Sequence, residues 1–269
     1  MSARVAVLAV LLVSGCAGTA TPPAPAGPPA PAATSAAAVS LPPPGRFDYQ
    51  IGGAYPPPPG TVTVARDRSD PPAPGAYSVC YVNAYQTQPA ETAWWRSAHP
   101  ELVLPVEDPE WPGEFLLDLS TPDRRAAAAG IVGGWIDGCA AAGYRAVEPD
   151  NLDSWTRSGG RLTEADALAF AGLLAARAHR RGLAIGQKNA AELGSRGRAA
   201  GLDFAVAEQC QANDECEAYT AGYGTAVLEI EYARAPFLAA CAARRGNPVT
   251  LRDRDVLPAG RPGHTDDSC

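Results

Sequence analysis

The chain has 269 residues, a formal net charge of −7 at pH 7, with 22 basic against 29 acidic residues, and seven cysteines. The acidic balance argues against nucleic acid as a partner, because a phosphate backbone requires a basic footprint. It permits a cationic substrate, and the length suffices for one hydrophobic core.

Arg4 followed by the unbroken apolar run Val5–Val13 reads as a secretion signal, too short to span a bilayer as a helix. The run ends in Val13-Ser14-Gly15-Cys16, the pattern of a bacterial lipobox, so Cys16 is expected to carry lipid and residues 1–16 to form the signal. Residues 17–45 are almost wholly Ala, Pro, Gly, Ser and Thr, without a charge or an aromatic ring. Such a segment cannot bury enough surface to fold, and it is expected to be a disordered, proline-stiffened tether. A single domain over residues 46–269 would then hang, as a monomer, from the membrane of a bacterial cell envelope through the lipid alone.

Setting Cys16 aside leaves an even number of cysteines outside the cytoplasm, which points to disulfides. Cys210 and Cys216 enclose the short polar segment Gln211–Glu215 and are the expected pair; the pairing of Cys80, Cys139, Cys241 and Cys269 stays open. His99, His179 and His264 are scattered and no Cys-x-x-Cys occurs, so no metal is expected, and no motif implies a cofactor. Lys188 is the only lysine in a chain that uses arginine everywhere else. That marks a position where a compact ammonium is required.

Strand patterns fall at Tyr49–Gly52, Val62–Arg66, Ser78–Asn83, Phe115–Leu119, Arg145–Glu148, Leu183–Gln187, Phe204–Ala207 and Ala226–Glu231. Helical patterns separate several of them: Glu91–Ala98, Pro122–Ala142, Glu164–Arg181, Ala190–Ala199 and Pro236–Arg244. The clearest is Glu164–Arg181, with Thr163 as N-cap, Asp166 three residues on and Gly182 as the stop. Eight strands with intervening helices predict an α/β fold, a compact (β/α)8 TIM-like barrel, with an open doubly wound sheet as the alternative. No Gly-x-Gly-x-x-Gly follows an early strand, which weakens the open sheet.

Acids gather at or near the strand ends: Asp67, Asp118, Glu148, Asp150, Asp153, Glu208, Glu229 and Glu231. Strand alternation places Glu148 and Asp150 on one side, with Asp150 nearer the rim. Glu229 lies deeper and reads better as a structural partner for an arginine, and Asp153 also suits a turn cap. Neither a Gly-x-Ser-x-Gly elbow nor a phosphate loop is present. What remains is carboxylates, amides, one lysine and the aromatics Tyr81, Tyr85, Trp155 and Tyr232, which together meet the needs of glycosidic bond cleavage. Trp94, Trp95 and Trp135 read as helix-face core.

Nine blocks occur in order: Phe47-Asp48-Tyr49-Gln50-Ile51, Cys80-Tyr81, Trp111-Pro112-Gly113-Glu114, Val147-Glu148-Pro149-Asp150-Asn151-Leu152-Asp153, Ala178-His179-Arg180-Arg181-Gly182-Leu183, Lys188-Asn189-Ala190, Ala207-Glu208-Gln209-Cys210, Glu215-Cys216 and Ile230-Glu231-Tyr232. In order and spacing they resemble glycoside hydrolase family 114, the endo-α-1,4-polygalactosaminidases, over about residues 47–233. The resemblance implies a TIM-like barrel that cuts galactosamine-containing polysaccharide, with Asp150 and Glu208 as the catalytic pair. It implies a sugar subsite lined by Asp67, Tyr81, Lys188, Asn189 and Glu231; Asp118, Glu148, Asn151, Asp153 and Tyr232 join them as candidate substrate-binding residues. Val82-Asn83-Ala84-Tyr85-Gln86 departs from the small-residue turn of the family. The alternative function is a glycan-binding envelope lipoprotein of the same fold that no longer cuts.

Overall fold

The computed structural model describes residues 39–243 and 245–269. The cysteine expected to carry lipid and most of the expected tether lie outside the described residues. The first strand, β1 (Arg46–Gln50), is followed by β2 (Thr61–Asp67) and β3 (Tyr77–Asn83) with no helix between them. The prolines of Pro56–Pro59 and at Pro71, Pro72 and Pro74 explain this, since proline removes a helical donor and clashes with the preceding turn.

After β3 the chain forms α1 (Thr92–Ala98), the strands β4 (Val103–Glu107) and β5 (Phe115–Leu117), and α2 (Pro122–Ala142). It then alternates through β6 (Ala146–Asp150), α3 (Glu164–Arg180), β7 (Ala184–Lys188), α4 (Ser195–Ala199), β8 (Phe204–Glu208), α5 (Cys216–Tyr223), β9 (Val227–Glu231) and α6 (Arg234–Ala243). It ends in β10 (Val249–Arg252) and β11 (Asp266–Ser268). The main sheet runs β1-β2-β3-β6-β7-β8-β9-β10-β11, parallel throughout except for the antiparallel last pair. It curls into a nearly closed barrel. At the seam, Arg46 of β1 pairs with Asp266 of β11 at 2.6 Å.

The barrel expected from the sequence is present, with two corrections of membership. Phe115–Leu117 is a strand, but it pairs antiparallel with β4 in a separate hairpin above the barrel, between β3 and α2. The eighth parallel strand is β10, a short run not read from the sequence because Arg252 and Asp253 cut off its apolar signal. Segment Ala190–Ala199 is one 3-10 turn plus the short α4, split by Gly194, instead of one helix. The α3 signals hold: the Thr163 side chain accepts from the Asp166 backbone while Asp166 reaches back to the Thr163 backbone.

Alternate residues of each strand divide between two cores. Phe47, Tyr49, Ala65, Val79, Ala146, Ala184, Phe204, Val206, Leu228 and Ile230 fill the barrel. The opposite faces of the strands, with Val82, Val147 and Ile185, pack on Val132 and Ile136 of α2 and on Phe170 and Leu174 of α3. Gly186 points into the barrel, where a Cβ would stand 3.0 Å from the Phe204 ring, so the two positions share one volume. Disulfides join Cys80–Cys139, Cys210–Cys216 and Cys241–Cys269. The middle one is the pair expected from the sequence.

Candidate active site

Strand alternation delivers six polar side chains from the interior face to the carboxyl end of the barrel: Tyr49, Tyr81, Glu148, Asp150, Lys188 and Glu208. Lys188 is at their centre and 2 % exposed. Its Nζ donates to Glu148 Oε1 at 3.0 Å and to Tyr49 Oη at 2.9 Å, and lies 3.3 Å from Asp150 Oδ1 and 3.4 Å from Glu208 Oε2. Tyr49 also donates to Glu148 Oε1 at 2.8 Å, and Tyr81 donates to Asp150 Oδ2 at 2.6 Å. Asn189 makes a reciprocal pair with Glu208: its Nδ2 donates to Oε2 at 2.9 Å, and its Oδ1 accepts from the Glu208 backbone at 2.9 Å. Tyr232 donates to the other oxygen of Glu208.

Each strand end is turned by a residue with left-handed backbone: Asn151 (φ 67°) after Asp150, Asn189 (φ 49°) after Lys188 and Gln209 (φ 56°) after Glu208. Non-glycine residues adopt this region rarely, asparagine more readily than most. Its recurrence beside three charged groups fits the clustering of backbone strain at functional sites.

Burial raises a carboxyl pKa, but at Asp150 the Lys188 ammonium, the Tyr81 hydroxyl and the Asn151 backbone N–H outweigh it and hold the group below the usual carboxylate range. Burial lowers the Lys188 pKa, yet Asp150, Glu208, Tyr49 and Glu148 around it push the ammonium well above its ordinary value. Glu148 is raised by burial in spite of Lys188. Burial, then the neighbouring carboxylates, raises Tyr81 and Tyr232, so both remain donors. The arrangement is one fixed cation beneath two carboxyl groups that reach a solvent cleft.

That cleft holds about 780 Å³ and is lined by acids including Asp67, Asp108, Glu114, Asp150, Asp153 and Glu208. Trp111 stands half exposed at its edge. Arg157 donates to Asp108 (2.6 Å), Asp153 (2.8 Å), Asn151 (2.7 Å) and Gln86 (3.1 Å). Asp153 therefore serves as an ion-pair partner at the cleft wall.

The structure brings together Asp150, Glu208, Lys188, Asn189, Asn151, Tyr81 and Tyr232, with Asp67 and Asp153 farther along the same cleft. Glu148 lies beneath them, fully buried. Two expected residues are elsewhere. Asp118 caps Ser120 and pairs with Arg124 at 3.0 Å, because β5 is outside the barrel. Glu231 sits one residue out of phase with Ile230, on the outer face of β9, where it accepts from the Gln211 backbone at 2.8 Å. Glu229 shares that face and takes Asn247 at 2.9 Å with Arg245 at 3.7 Å, the structural role expected of it. Tyr85 and Trp155 belong to the outer core, and Trp94 is exposed whereas Trp95 is buried. Tyr49, Asp108, Glu114 and Arg157 were not read as site residues. Phase with Phe47 would have found Tyr49; the others become neighbours only when the β4–β5 hairpin folds over the barrel.

The chain matches the glycoside-hydrolase family GH114 over residues 28–267. It belongs to that family. This GH114 protein is a glycoside hydrolase. Among solved structures, it is similar to Aspergillus fumigatus Ega3 in complex with galactosamine, with 22% identity and a TM-score of 0.67 over 88% of this chain and 99% of that one. It is also similar to the glycoside hydrolase domain of PelA from Pseudomonas aeruginosa, with 16% identity and a TM-score of 0.55 over 80% of this chain and 96% of that one. At these identities the likeness carries the fold. No curated protein matches the chain.

Proposed function

We propose that this GH114 hydrolase cuts internal α-1,4 linkages of a galactosamine-containing polysaccharide, with Asp150 as nucleophile and Glu208 as general acid. The observation that carries the reading is the shared contact of Asp150 Oδ1 and Glu208 Oε2 with Lys188 Nζ, at 3.3 and 3.4 Å. The galactosamine bound to the similarly folded Ega3 supports the substrate class. Glu208 gives its proton to the glycosidic oxygen as the bond from that oxygen to C1 breaks, and Asp150 bonds to C1. Water then replaces Asp150 at C1, returning its proton to Glu208.

Two oxygens held by one nitrogen cannot be farther apart than twice the longer contact. That bound leaves only the lower edge of the roughly 6.5–9.5 Å range of inverting enzymes and contains the roughly 5–5.5 Å of retaining ones, and we take the retaining reading. We further place the protein in the bacterial envelope as a lipid-anchored monomer, a reading that rests on Cys16 and the segment before it. The test is incubation with partly deacetylated polygalactosamine, followed by mass spectrometry and by NMR of the first reducing ends. A ladder of oligosaccharides with α-anomers is expected. No products from folded protein would overturn the substrate, and β-anomers would overturn the role of Asp150.

A further inference from the structure

We infer that Glu114, on the hairpin above the barrel, is a specificity-determining carboxylate that receives the free ammonium of an amino sugar bound beside Asp150; the inference rests on the function proposed above. Glu114 Oε2 accepts from Asn83 Nδ2 at 3.0 Å and from Gln86 Nε2 at 2.7 Å. Asn83 and Gln86 are 3 % and 1 % exposed, and their orientation is forced from the other side. Arg157 can only donate, so Gln86 must turn its oxygen to Arg157 and its nitrogen to Glu114. Asn83 likewise accepts from Asn151 at 2.9 Å with its oxygen. The two amides can therefore only donate toward Glu114, which makes them a cradle for an acceptor.

Glu114 Oε1 takes no hydrogen bond from the described residues, and the side chain lines the cleft. Neither a lysine nor an arginine among the described residues lies within ion-pair distance of it, and the cations of the cleft are engaged elsewhere. Lys188 serves Glu148, Asp150 and Glu208; Arg157 serves Asp108 and Asp153; Arg254 reaches Gln209 at 2.8 Å and Glu110 at 3.4 Å. Held only by neutral amides, with burial pushing its pKa up, the Glu114 carboxylate would be stabilised by a cation brought by a ligand. Its location identifies the ligand. Asn83 is the register partner of Asp150 across β3 and β6, so Glu114 is anchored to the residue beside the proposed nucleophile. A group there meets the sugar at the point of cleavage or its immediate neighbour. The partner that an unpaired carboxylate selects over a hydroxyl or an acetamide is an ammonium.

The test compares the whole protein with Glu114→Gln on two polygalactosamines of equal length, one rich in free amine and one fully N-acetylated. The preference for the amine-rich polymer, as a ratio of kcat/KM, is expected to fall about tenfold in the variant, the size of a lost hydrogen bond to a charged group. The loss should appear in KM and shrink as salt is added. An unchanged ratio, or an equal loss of kcat on both polymers, would overturn the inference. Calorimetry with amino-sugar oligosaccharides in an Asp150→Asn background, with and without Glu114→Gln, gives the answer without turnover. Equal affinities, or no binding at all, would also overturn it. Activity on neither polymer with selective binding retained would instead sink the proposed function and leave Glu114 as an amine site.

Discussion

The ammonium of Lys188 stands 3.0 Å from Glu148 Oε1, with both side chains sealed inside the barrel. Glu148 donates nothing to a substrate; it is the counter-charge that keeps the only lysine of the chain in place beneath Asp150 and Glu208. A buried pair is weak in net energy, but removing one partner leaves an uncompensated charge. Lys188→Met is therefore expected to cost about 3–5 kcal/mol of stability. Lys188→Met/Glu148→Gln should recover much of that in denaturant melts while remaining inactive. Recovery of activity with stability would mean that Lys188 has no part in the chemistry.

Asp150 is held ionised below the usual carboxylate range by Lys188, Tyr81 and the Asn151 N–H, against its burial. For a depressed carboxyl, the stabilisation is present above the unfolded pKa of about 3.9 and is lost as pH falls through the folded value. Tyr81→Phe removes one donor at 2.6 Å. The acid limb of kcat/KM should move upward by about one pH unit, matching the ~1.5 kcal/mol of a hydrogen bond to a charged group. An unmoved limb would show that Asp150 is not the group titrating there.

Phase along a strand separates two glutamates that look alike in the sequence. Glu208 shares the interior face with Phe204 and Val206, whereas Glu231 lies outside and accepts from the Gln211 backbone. Glu208→Gln should lower kcat by roughly 10²–10⁴, the usual worth of a general acid. Glu231→Gln should leave kcat within about threefold, because changes away from the reacting atoms act mainly on stability. Equal losses would contradict the assignment of faces.

Two disulfides should fail in different ways. Cys80–Cys139 joins residues 59 apart, and replacing both by serine should cost about 4 kcal/mol on loop-entropy grounds. Cys210–Cys216 spans only 6 and should cost about 2 kcal/mol. Because it fixes the turn that follows Glu208, its loss should lower kcat at temperatures where the protein remains folded. Thermal melts and initial rates on the two double variants separate these effects.

The legible part of this molecule is what one strand can report about itself. Val147-Glu148-Pro149-Asp150 and Phe204–Glu208 announce apolar interiors with charge at the rim, and in the barrel they flank Lys188 of β7. Thr163 and Asp166 announce the start of α3 because capping is local. Glu114 is silent because Asn83 and Gln86 are 31 and 28 residues away, and Arg157 because Asp108 and Gln86, which join it to the hairpin side of the cleft, are 49 and 71 residues away. The same limit misassigned Phe115–Leu117, whose apolar run states that it is a strand but not which sheet it joins. Glu231 differs for another reason: the resemblance implies a place in the subsite, whereas the period of two along β9, with Leu228 and Ile230 inside, puts it on the outer face.

The most direct test of the central claim measures, on one preparation of polygalactosamine, both turnover and binding by the wild type, Asp150→Asn and Glu208→Gln. The account expects oligosaccharide ladders from the wild type alone, with both variants folded and still binding the polymer. A variant that cuts at the wild-type rate would contradict the assignment of Asp150 and Glu208 as the catalytic pair.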